Sequence, residues 1–139
     1  MNYTHTAKQL LTKGGRIMSF RTPSINTVSI SGNIVRDAEI NHVGEAKTPV
    51  TTITVAHNQR YKAKSGKWQE AVSFIDVEVW GALAERDAYY KKGIPVIVEG
   101  VLKGNQWKDK EGKSHSKVVV RAAKIHVLVY PEKEEKEEE

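Results

Sequence analysis

The sequence contains no cysteine and no long apolar run, although it is 139 residues long. Without thiols there is no disulfide framework and no thiolate zinc site, and a reducing compartment, the cytoplasm, is expected. No apolar segment reaches the roughly 18 residues of a membrane-spanning helix, and the N-terminus lacks the apolar stretch of a secretory signal. The five histidines show no metal-ligand spacing; they are His5, His42, His57, His115 and His126. We therefore expect one domain with no membrane partner, no metal and no cofactor.

Positive charge is concentrated in the body of the chain. The net charge is +5, but the last nine residues, PEKEEKEEE, contain six Glu and two Lys. The preceding 130 residues hold 20 Lys and Arg against 11 Asp and Glu, a net charge of +9. A basic domain favours an anionic partner such as nucleic acid and says nothing about the fold. We expect residues 131–139 to form a disordered acidic tail.

The first residues differ in composition from the rest. Residues 1–18, MNYTHTAKQLLTKGGRIM, contain no acidic residue and no clear periodicity, so we expect residues 1–19 to be a disordered leader. The run Lys13-Gly14-Gly15-Arg16 is what a purine-rich bacterial ribosome-binding sequence yields when it is translated. We hypothesise that Met18 is the natural start. An intact mass of the natively expressed protein that includes residues 1–17 would contradict this.

Strand patterns dominate the expected domain, residues 20–130. Five segments are rich in β-branched residues or alternate apolar and polar side chains, which predicts strands. They are 25–40, 48–61, 72–81, 94–107 and 114–130. Gly32 and Gly100 interrupt the first and fourth segments, where we expect bends or bulges. Connections at 62–71 and 108–113 predict two long hairpins.

One helical segment lies between the third and fourth strands. In ALAERDAYYKKG, residues 82–93, Leu83, Ala84 and Tyr90 recur at helical spacing, and Gly93 is the expected C-terminal stop. Five strands with a helix after the third and bend glycines in the first and fourth are typical of the OB-fold. We therefore predict an all-β, five-stranded Greek-key barrel with one helix between strands 3 and 4.

The third strand, VSFIDVEVWG, has two unlike faces. One side carries a stripe of Ile and Val side chains and belongs to the core. The other side alternates two large rings, Phe74 and Trp80, with two carboxylates, Asp76 and Glu78. Carboxylates are almost never buried unless they are paired. We therefore expect Phe74 and Trp80 to be exposed on the surface.

Aromatic rings are adjacent to cations in this sequence. They occur together in Arg60-Tyr61-Lys62, Lys67-Trp68 and Trp107-Lys108. Single-stranded nucleic acid needs this combination, because its bases stack on aromatic faces while Lys and Arg neutralise its phosphates. Stacking is worth roughly 1–3 kcal/mol per base and accepts any base, so no particular sequence is required. The candidate phosphate contacts are Arg36, Arg60, Lys62, Lys64, Lys67, Lys103 and Lys108.

Residues 25–128 resemble the bacterial single-stranded DNA-binding (SSB) proteins. The stretches VSISGNIVRDAEI, VEVWGALAERDAYYKKGIPVIVEGVLKGNQWKDKEGK and VVVRAAKI carry the resemblance. In the family, the middle stretch reads Phe-Gly-x-Leu-Ala-Glu, a Tyr before Lys-Gly, Val-x-x-Glu-Gly-x-Leu, and a Trp before an acidic-Gly turn. This chain has Trp80–Glu85, Tyr90–Gly93, Val96–Leu102, and Trp107 before Glu111-Gly112. The resemblance implies an OB-fold that binds and protects single-stranded DNA in replication, recombination and repair.

The resemblance also implies particular binding residues and an assembly. The base-stacking residues that match the family's aromatic positions are Tyr61, Phe74, Trp80 and Trp107. Trp68, in the basic hairpin, has no clear counterpart in the family motif and is a further candidate. Homotetramers that work in the cytoplasm beside the nucleoid are the family expectation, and a dimer is an alternative.

This chain departs from the family at two places. Many members carry Trp-His-Arg where it has Phe74-Ile75-Asp76, so the ring is kept while a positive charge becomes negative. Members usually end in an acidic tip, closing in Ile-Pro-Phe, that recruits replication and repair proteins. PEKEEKEEE keeps the acidity without the apolar anchor, so we expect weak or absent binding to those proteins. Two other roles are possible for this tail: it only improves solubility, or it competes with DNA for the basic groove.

Three other functions stay open. A nuclease on the same barrel would need clustered carboxylates for a metal, and the only pair on a strand face, Asp76 and Glu78, lies between the proposed stacking rings. We therefore predict no enzymatic activity and no catalytic residue. A primosome or replication-restart accessory protein would be a dimer with fewer stacking rings. An RNA-binding adapter would prefer single-stranded RNA to DNA.

Overall fold

Strands make up most of the structure, a computed structural model that describes residues 10–13 and 16–129. The strands are β1 (Leu10–Lys13), β2 (Arg16–Ser19), β3 (Val28–Ile34), β4 (Asn41–Val43), β5 (Thr48–Lys62), β6 (Trp68–Trp80), β7 (Pro95–Lys108) and β8 (Ser114–Val127). A 3₁₀ helix, Gly81–Tyr89, separates β6 from β7. The five strands predicted from the sequence correspond to β3, β5, β6, β7 and β8, while the short strand β4 was not predicted.

Five of these strands close into a barrel. β3 pairs with β7, β7 with β8, and β5 with β6, all antiparallel, whereas β6 and β8 pair in parallel. Antiparallel pairing of β3 with β5, at Asn33↔Ala56 and Ile34↔Val55, completes the circle. Strand β4 pairs with the start of β5. The prediction of a five-stranded Greek-key barrel, with one helix between its third and fourth strands, is confirmed.

Two glycines allow backbones to approach closely where the barrel bends. A Cβ on Gly32 would lie 2.3 Å from the carbonyl oxygen of Ala56, where β3 passes from β7 to β5. A Cβ on Gly100 would lie 2.0 Å from the carbonyl oxygen of Arg121, and the β7–β8 register shifts between Glu99 and Gly100. Any side chain at either position would push the strands apart. The register shift confirms the bulge predicted at Gly100, and at Gly32 the structure shows a close backbone approach that only glycine allows.

Aliphatic side chains fill the barrel. Alternation along the strands turns Val55 of β5, Val77 and Val79 of β6, and Val96 and Val98 of β7 inward, and all five side chains are fully buried. Burial of one Val side chain is worth about 1.5–3 kcal/mol. The core thus fixes which side chains of β6 and β7 face outward, and the candidate site lies on that outward side.

The helix is tighter and ends earlier than the sequence predicted. It is a 3₁₀ helix with non-helical backbone at Arg86, and it ends at Tyr89. The next ring, Tyr90, is fully buried, and its carbonyl oxygen accepts a hydrogen bond from the Ala38 N–H at 2.9 Å, which takes it out of the helix. Gly93, with φ of 86°, lies beyond the helix and does not cap it. In the described residues, no helix combines the length and the hydrophobicity that crossing a membrane requires.

The N-terminal segment differs from the expected disordered leader. Strands β1 and β2 pair antiparallel from Leu10↔Ser19 to Lys13↔Arg16. The lack of periodicity over the whole leader obscured these two short strands. Residues 1–9, 14–15 and 130–139 lie outside the described residues, so the predictions for the rest of the leader and for the acidic tail stay predictions.

Candidate nucleic-acid interface

The outward side of β6 carries two aromatic rings separated by two carboxylates. Phe74 is 66% exposed and Trp80 is half-buried, whereas the inward Val77 and Val79 are fully buried. The predicted two faces are confirmed, but Trp80 is less exposed than expected because its indole N–H is bonded to Glu78 and cations pack on its ring. We call the outward surface the aromatic face. It consists of Phe74, Asp76, Glu78 and Trp80 of β6 with the contacting side chains Lys103 of β7 and Lys117 and Arg121 of β8.

Asp76 joins β6 to both neighbouring strands. Its Oδ2 accepts a hydrogen bond from the ammonium of Lys117 on β8, and its Oδ1 accepts one from Thr54 Oγ1 on β5 at 2.9 Å. The bond from Lys117 is the main cause that holds the pKa of Asp76 below its usual value, with smaller contributions from Thr54 and from the charge of Arg36. Partial burial opposes this shift. Asp76 is therefore an ionised, bonded carboxylate.

Glu78 holds Trp80 and a second lysine. Its Oε1 accepts hydrogen bonds from the indole N–H of Trp80 and from Lys103 Nζ, the latter at 3.0 Å. Partial burial by itself raises the pKa of Glu78, but the bonds from Trp80 and Lys103 outweigh it and keep the pKa below its usual value. Lys103 Nζ lies 5.9 Å from the centroid of the Trp80 ring, and the guanidinium of Arg121 lies 5.3 Å from it. Cations and ring are thus packed together.

Trp107 extends the aromatic face along β7. It lies four residues after Lys103 on the same strand, so alternation places both on one face. Trp107 is 49% exposed, and its ring stacks on His115 of β8 with centroids 5.6 Å apart and planes 19° apart. His115 Nε2–H donates to Asp109 Oδ2 at 2.8 Å. The orientation of Trp107 is therefore supported by a side chain that is itself bonded.

The β5–β6 hairpin carries the two remaining candidate rings. Trp68 is 64% exposed, and alternation along β6 puts it on the same face as Phe74. The guanidinium of Arg60 lies 5.5 Å from the Trp68 ring centroid. Tyr61 is opposite Gln69, and its O–H donates to Gln69 Oε1 at 2.8 Å, which places Tyr61 on the other face of the hairpin. The structure therefore groups four of the five candidate rings and separates Tyr61 from them.

The candidate phosphate contacts are distributed around these rings. Lys103 lies on the aromatic face, and the charge of Arg36 is felt by Asp76. Arg60 and Lys62 share the Trp68 side of the hairpin, and Lys64 and Lys67 lie in its exposed tip. Lys108 follows Trp107 on β7, so alternation turns it to the opposite face.

Sequence reasoning missed three residues, all on β8. Lys117 is bonded to Asp76, Arg121 lies over Trp80, and His115 stacks on Trp107. The available signal was the presence of charged side chains in an otherwise apolar strand, SKVVVRAAK. The parallel β6–β8 pairing, Val77↔Val120 and Glu78↔Arg121, brings Lys117 and Arg121 to β6, and it forms only when the barrel closes. The β7–β8 register places His115 opposite Trp107. In the described residues, no group of three or more His, Asp or Glu side chains is arranged to hold a metal ion.

Comparison with known proteins identifies the family. Residues 25–128 match the Single-strand binding protein family. The chain belongs to this family. Members of the SSB family are DNA-binding proteins and not enzymes.

Individual SSB proteins are similar over the same region. Single-stranded DNA-binding protein 2 of Chlorobaculum tepidum is 35% identical over 108 residues, which cover 76% of this chain and 72% of that protein. The single-stranded DNA-binding protein of Aquifex aeolicus is 39% identical over 108 residues, with coverage of 77% and 72%. The Plasmodium falciparum SSB, solved in complex with ssDNA, superposes with a TM-score of 0.70 at 15% identity, over 79% of this chain and 100% of that chain. This last likeness shows a shared fold.

Proposed function

We propose that the protein binds and protects single-stranded DNA, without sequence preference, in replication, recombination and repair. The observation that carries the proposal is the aromatic face, where exposed rings and cations lie side by side on the outside of the barrel. Bases would stack on the rings while phosphates meet the lysines and arginines. Membership of the SSB family supports the same conclusion.

The proposed path of the strand follows the grouped rings. It runs from Trp107, across the aromatic face, to Trp68 on the β5–β6 hairpin. An open cleft of about 590 Å³ lies along the β7–β8 hairpin and offers space beside Trp107. The cations along this path are Arg36, Arg60, Lys62, Lys103, Lys117 and Arg121. Tyr61 faces away from it, so we expect replacement of Tyr61 to weaken binding less than replacement of Phe74.

The proposal includes assembly of several barrels. One OB-fold covers roughly 4–16 nucleotides, so a protein that coats long strands needs more than one barrel. Exposed aliphatic side chains outside the aromatic face, such as Val118 and Leu102, are candidates for contact between copies. A homotetramer in the cytoplasm, beside the nucleoid, is the arrangement that we propose, and sedimentation equilibrium would measure its mass.

The test of the proposed function is tryptophan fluorescence during titration with oligo-dT at several salt concentrations. Trp68, Trp80 and Trp107 all lie on the proposed path, so binding should quench the signal, and the affinity should fall steeply as salt rises. Phe74→Ala should weaken binding by a factor of about 5–150, the loss of one stacked base. Phe20→Ala is a matched control, because Phe20 is 43% exposed and lies outside the aromatic face.

Other outcomes of this titration would favour other functions. No binding at low salt would contradict the proposal and would favour a protein-binding role such as a replication-restart accessory. Tighter binding to oligo-rU than to oligo-dT would favour the RNA-binding adapter. Equal losses for Phe74→Ala and Phe20→Ala would mean that the aromatic face is not where the bases stack.

A further inference from the structure

Two lysines of the aromatic face are already occupied by carboxylates. Lys117 is bonded to Asp76, and Lys103 lies 3.0 Å from Glu78. In both pairs the lysine is the more exposed partner: the side chains of Lys117 and Asp76 are 52% and 24% exposed, and those of Lys103 and Glu78 are 37% and 15% exposed. A phosphate arriving from solvent therefore meets the ammonium groups before the carboxylates.

The carboxylates keep other partners when the lysines leave. Asp76 also accepts from Thr54 Oγ1, and Glu78 also accepts from the Trp80 indole N–H. These bonds remain when the lysine leaves, so exchange of the lysine does not leave the acid without a hydrogen-bond donor. The Asp76–Lys117 pair is exposed, and exposed ion pairs are weak, worth roughly 0–1 kcal/mol, so a phosphate can compete for the lysine. The Glu78–Lys103 pair is part-buried and should be the harder one to open.

We propose that Asp76 and Glu78 compete with the phosphates of single-stranded DNA for Lys117 and Lys103. A phosphate binds by replacing the carboxylate as the partner of the lysine. The proposal rests on the proposed function and adds a specificity-determining role for two acids inside the interface. The pairs restrain affinity, because each phosphate contact requires an existing ion pair to open. They also disfavour weakly bound anions that cannot open both pairs and stack at the same time.

Neutralising either acid should tighten the binding of DNA. Asp76→Asn keeps an oxygen for Thr54 and frees Lys117. Binding to oligo-dT at low salt should become about two- to fivefold tighter, because Lys117 no longer has to leave an ion pair before it contacts a phosphate. The slope of log K against log salt should steepen by up to about 0.7, because the carboxylate that Lys117 leaves in the unmodified protein takes up a cation and offsets the counterions that one phosphate releases. Glu78→Gln should act in the same direction through Lys103.

Two further variants identify the cause. Asp76→Asn combined with Lys117→Gln removes both charges, and the gain in affinity and slope should disappear. Glu85→Gln removes one negative charge from an exposed position of the 3₁₀ helix, outside the aromatic face, and controls for the change in net charge. At about 0.15 M salt, where the Debye length is about 8 Å, it should leave the affinity within about twofold of the original, because exposed charges outside the interface are largely screened.

The outcomes separate this inference from the proposed function. If the unmodified protein does not bind oligo-dT, the proposed function fails, and the inference fails with it. If it binds and Asp76→Asn is unchanged or weaker, the acids are not competitors and only the inference is overturned. An equal gain for Glu85→Gln would also overturn it, because net charge alone would then explain the effect. Unchanged circular dichroism and melting temperature of each variant confirm that these comparisons concern folded protein.

Discussion

The two long hairpins end in the same turn but hold their rings differently. In the β5–β6 tip, Ala63 N–H donates to the Lys67 carbonyl and Gly66 N–H donates to the Ala63 carbonyl, both at 2.9 Å. In the β7–β8 tip, Asp109, Gly112 and Lys113 repeat these two bonds at 3.0 Å, and the glycine φ angles are 81° and 82°. Only the first residue of the turn changes the contacts: a methyl group in one tip and a carboxylate in the other.

The carboxylate of Asp109 fastens the β7–β8 tip. Its Oδ1 accepts from the backbone N–H groups of Glu111 and Lys113, each at 2.9 Å, and its Oδ2 accepts from His115, which stacks on Trp107. Ala63 can make none of these bonds. The comparison teaches that a glycine in the fourth position sets the backbone of the turn, whereas the first position decides whether the neighbouring ring is held in place.

The largest effect is expected at the base of the β7–β8 hairpin. Gly100→Ala would place a Cβ 2.0 Å from the Arg121 carbonyl oxygen, and separating β7 from β8 at the bulge should cost about 3 kcal/mol or more of unfolding free energy. Gly104→Ala, on the same strand with no atom within 4 Å of its Cβ, should change stability by less than about 0.5 kcal/mol. Urea unfolding would measure both. Similar costs for the two variants would show that the bulge does not need a glycine.

A ring that is already oriented should lose more on removal than a freely moving one. Trp107→Ala should weaken binding to oligo-dT by about 1–3 kcal/mol, because the ring stacked on His115 has little freedom left to lose on binding. Trp68→Ala should cost less, because Trp68 is 64% exposed and its cation partner, Arg60, is itself exposed. Fluorescence anisotropy of a labelled oligonucleotide would compare them. A larger loss for Trp68→Ala would contradict the expectation that the ring of the β7–β8 hairpin contributes more to binding.

The fastened tip should respond to acid, unlike the other tip. The bond from His115 and those from the backbone of Lys113 and Glu111 lower the pKa of Asp109 below its ordinary 3.8. The bonds are therefore complete above pH 3.8 and are lost as the pH falls through the lower folded-state pKa. The amide shifts of Glu111 and Lys113 in NMR spectra should move in that acid range, and the Lys67 amide should not. A transition above pH 3.8 would contradict the assigned contacts.

The smallest effect is expected from introducing an aspartate at the first position of the β5–β6 turn. Ala63→Asp gives the β5–β6 tip the carboxylate that Asp109 provides in the other, so the amides of Ser65 and Lys67 should exchange more slowly with solvent. The global stability should barely change, because the tip is exposed and local. Unaltered exchange rates would mean that the turn alone does not hold an aspartate in place. A partner such as His115, which bonds to Asp109 in the β7–β8 tip, would then be required.

Much of the fold was predictable from the sequence because its signals are local. Alternation revealed the barrel strands, and Gly32 and Gly100 revealed the bends, since only glycine fits where a backbone oxygen lies so close. The helix type was predicted less well, because Leu83, Ala84 and Tyr90 fit the spacing of an α-helix while Tyr90 is drawn into the core by its bond with Ala38. Local spacing does not include such long-range contacts.

The candidate site was only partly predictable for the same reason. The exposure of Phe74 followed from its carboxylate neighbours on the same strand. The roles of Lys117 and Arg121 did not follow, because the parallel pairing that brings them to Asp76 and Trp80 joins segments about 40 residues apart. The face of Tyr61 depended on the register of the hairpin, Tyr61↔Gln69, which adjacency to Arg60 and Lys62 does not specify.

The short pairing between β6 and β8 lies beneath the aromatic face and is where the barrel should open most easily. Only Val77↔Val120 and Glu78↔Arg121 pair along this join, against thirteen pairs between β5 and β6. The Asp76–Lys117 bond and the packing of Arg121 on Trp80 cross the same line, so side chains reinforce a short backbone seam. A nucleic acid strand bound to side chains of both β6 and β8 would hold these two strands together. The barrel would then be hardest to open while it is loaded, and easiest to open while it is empty.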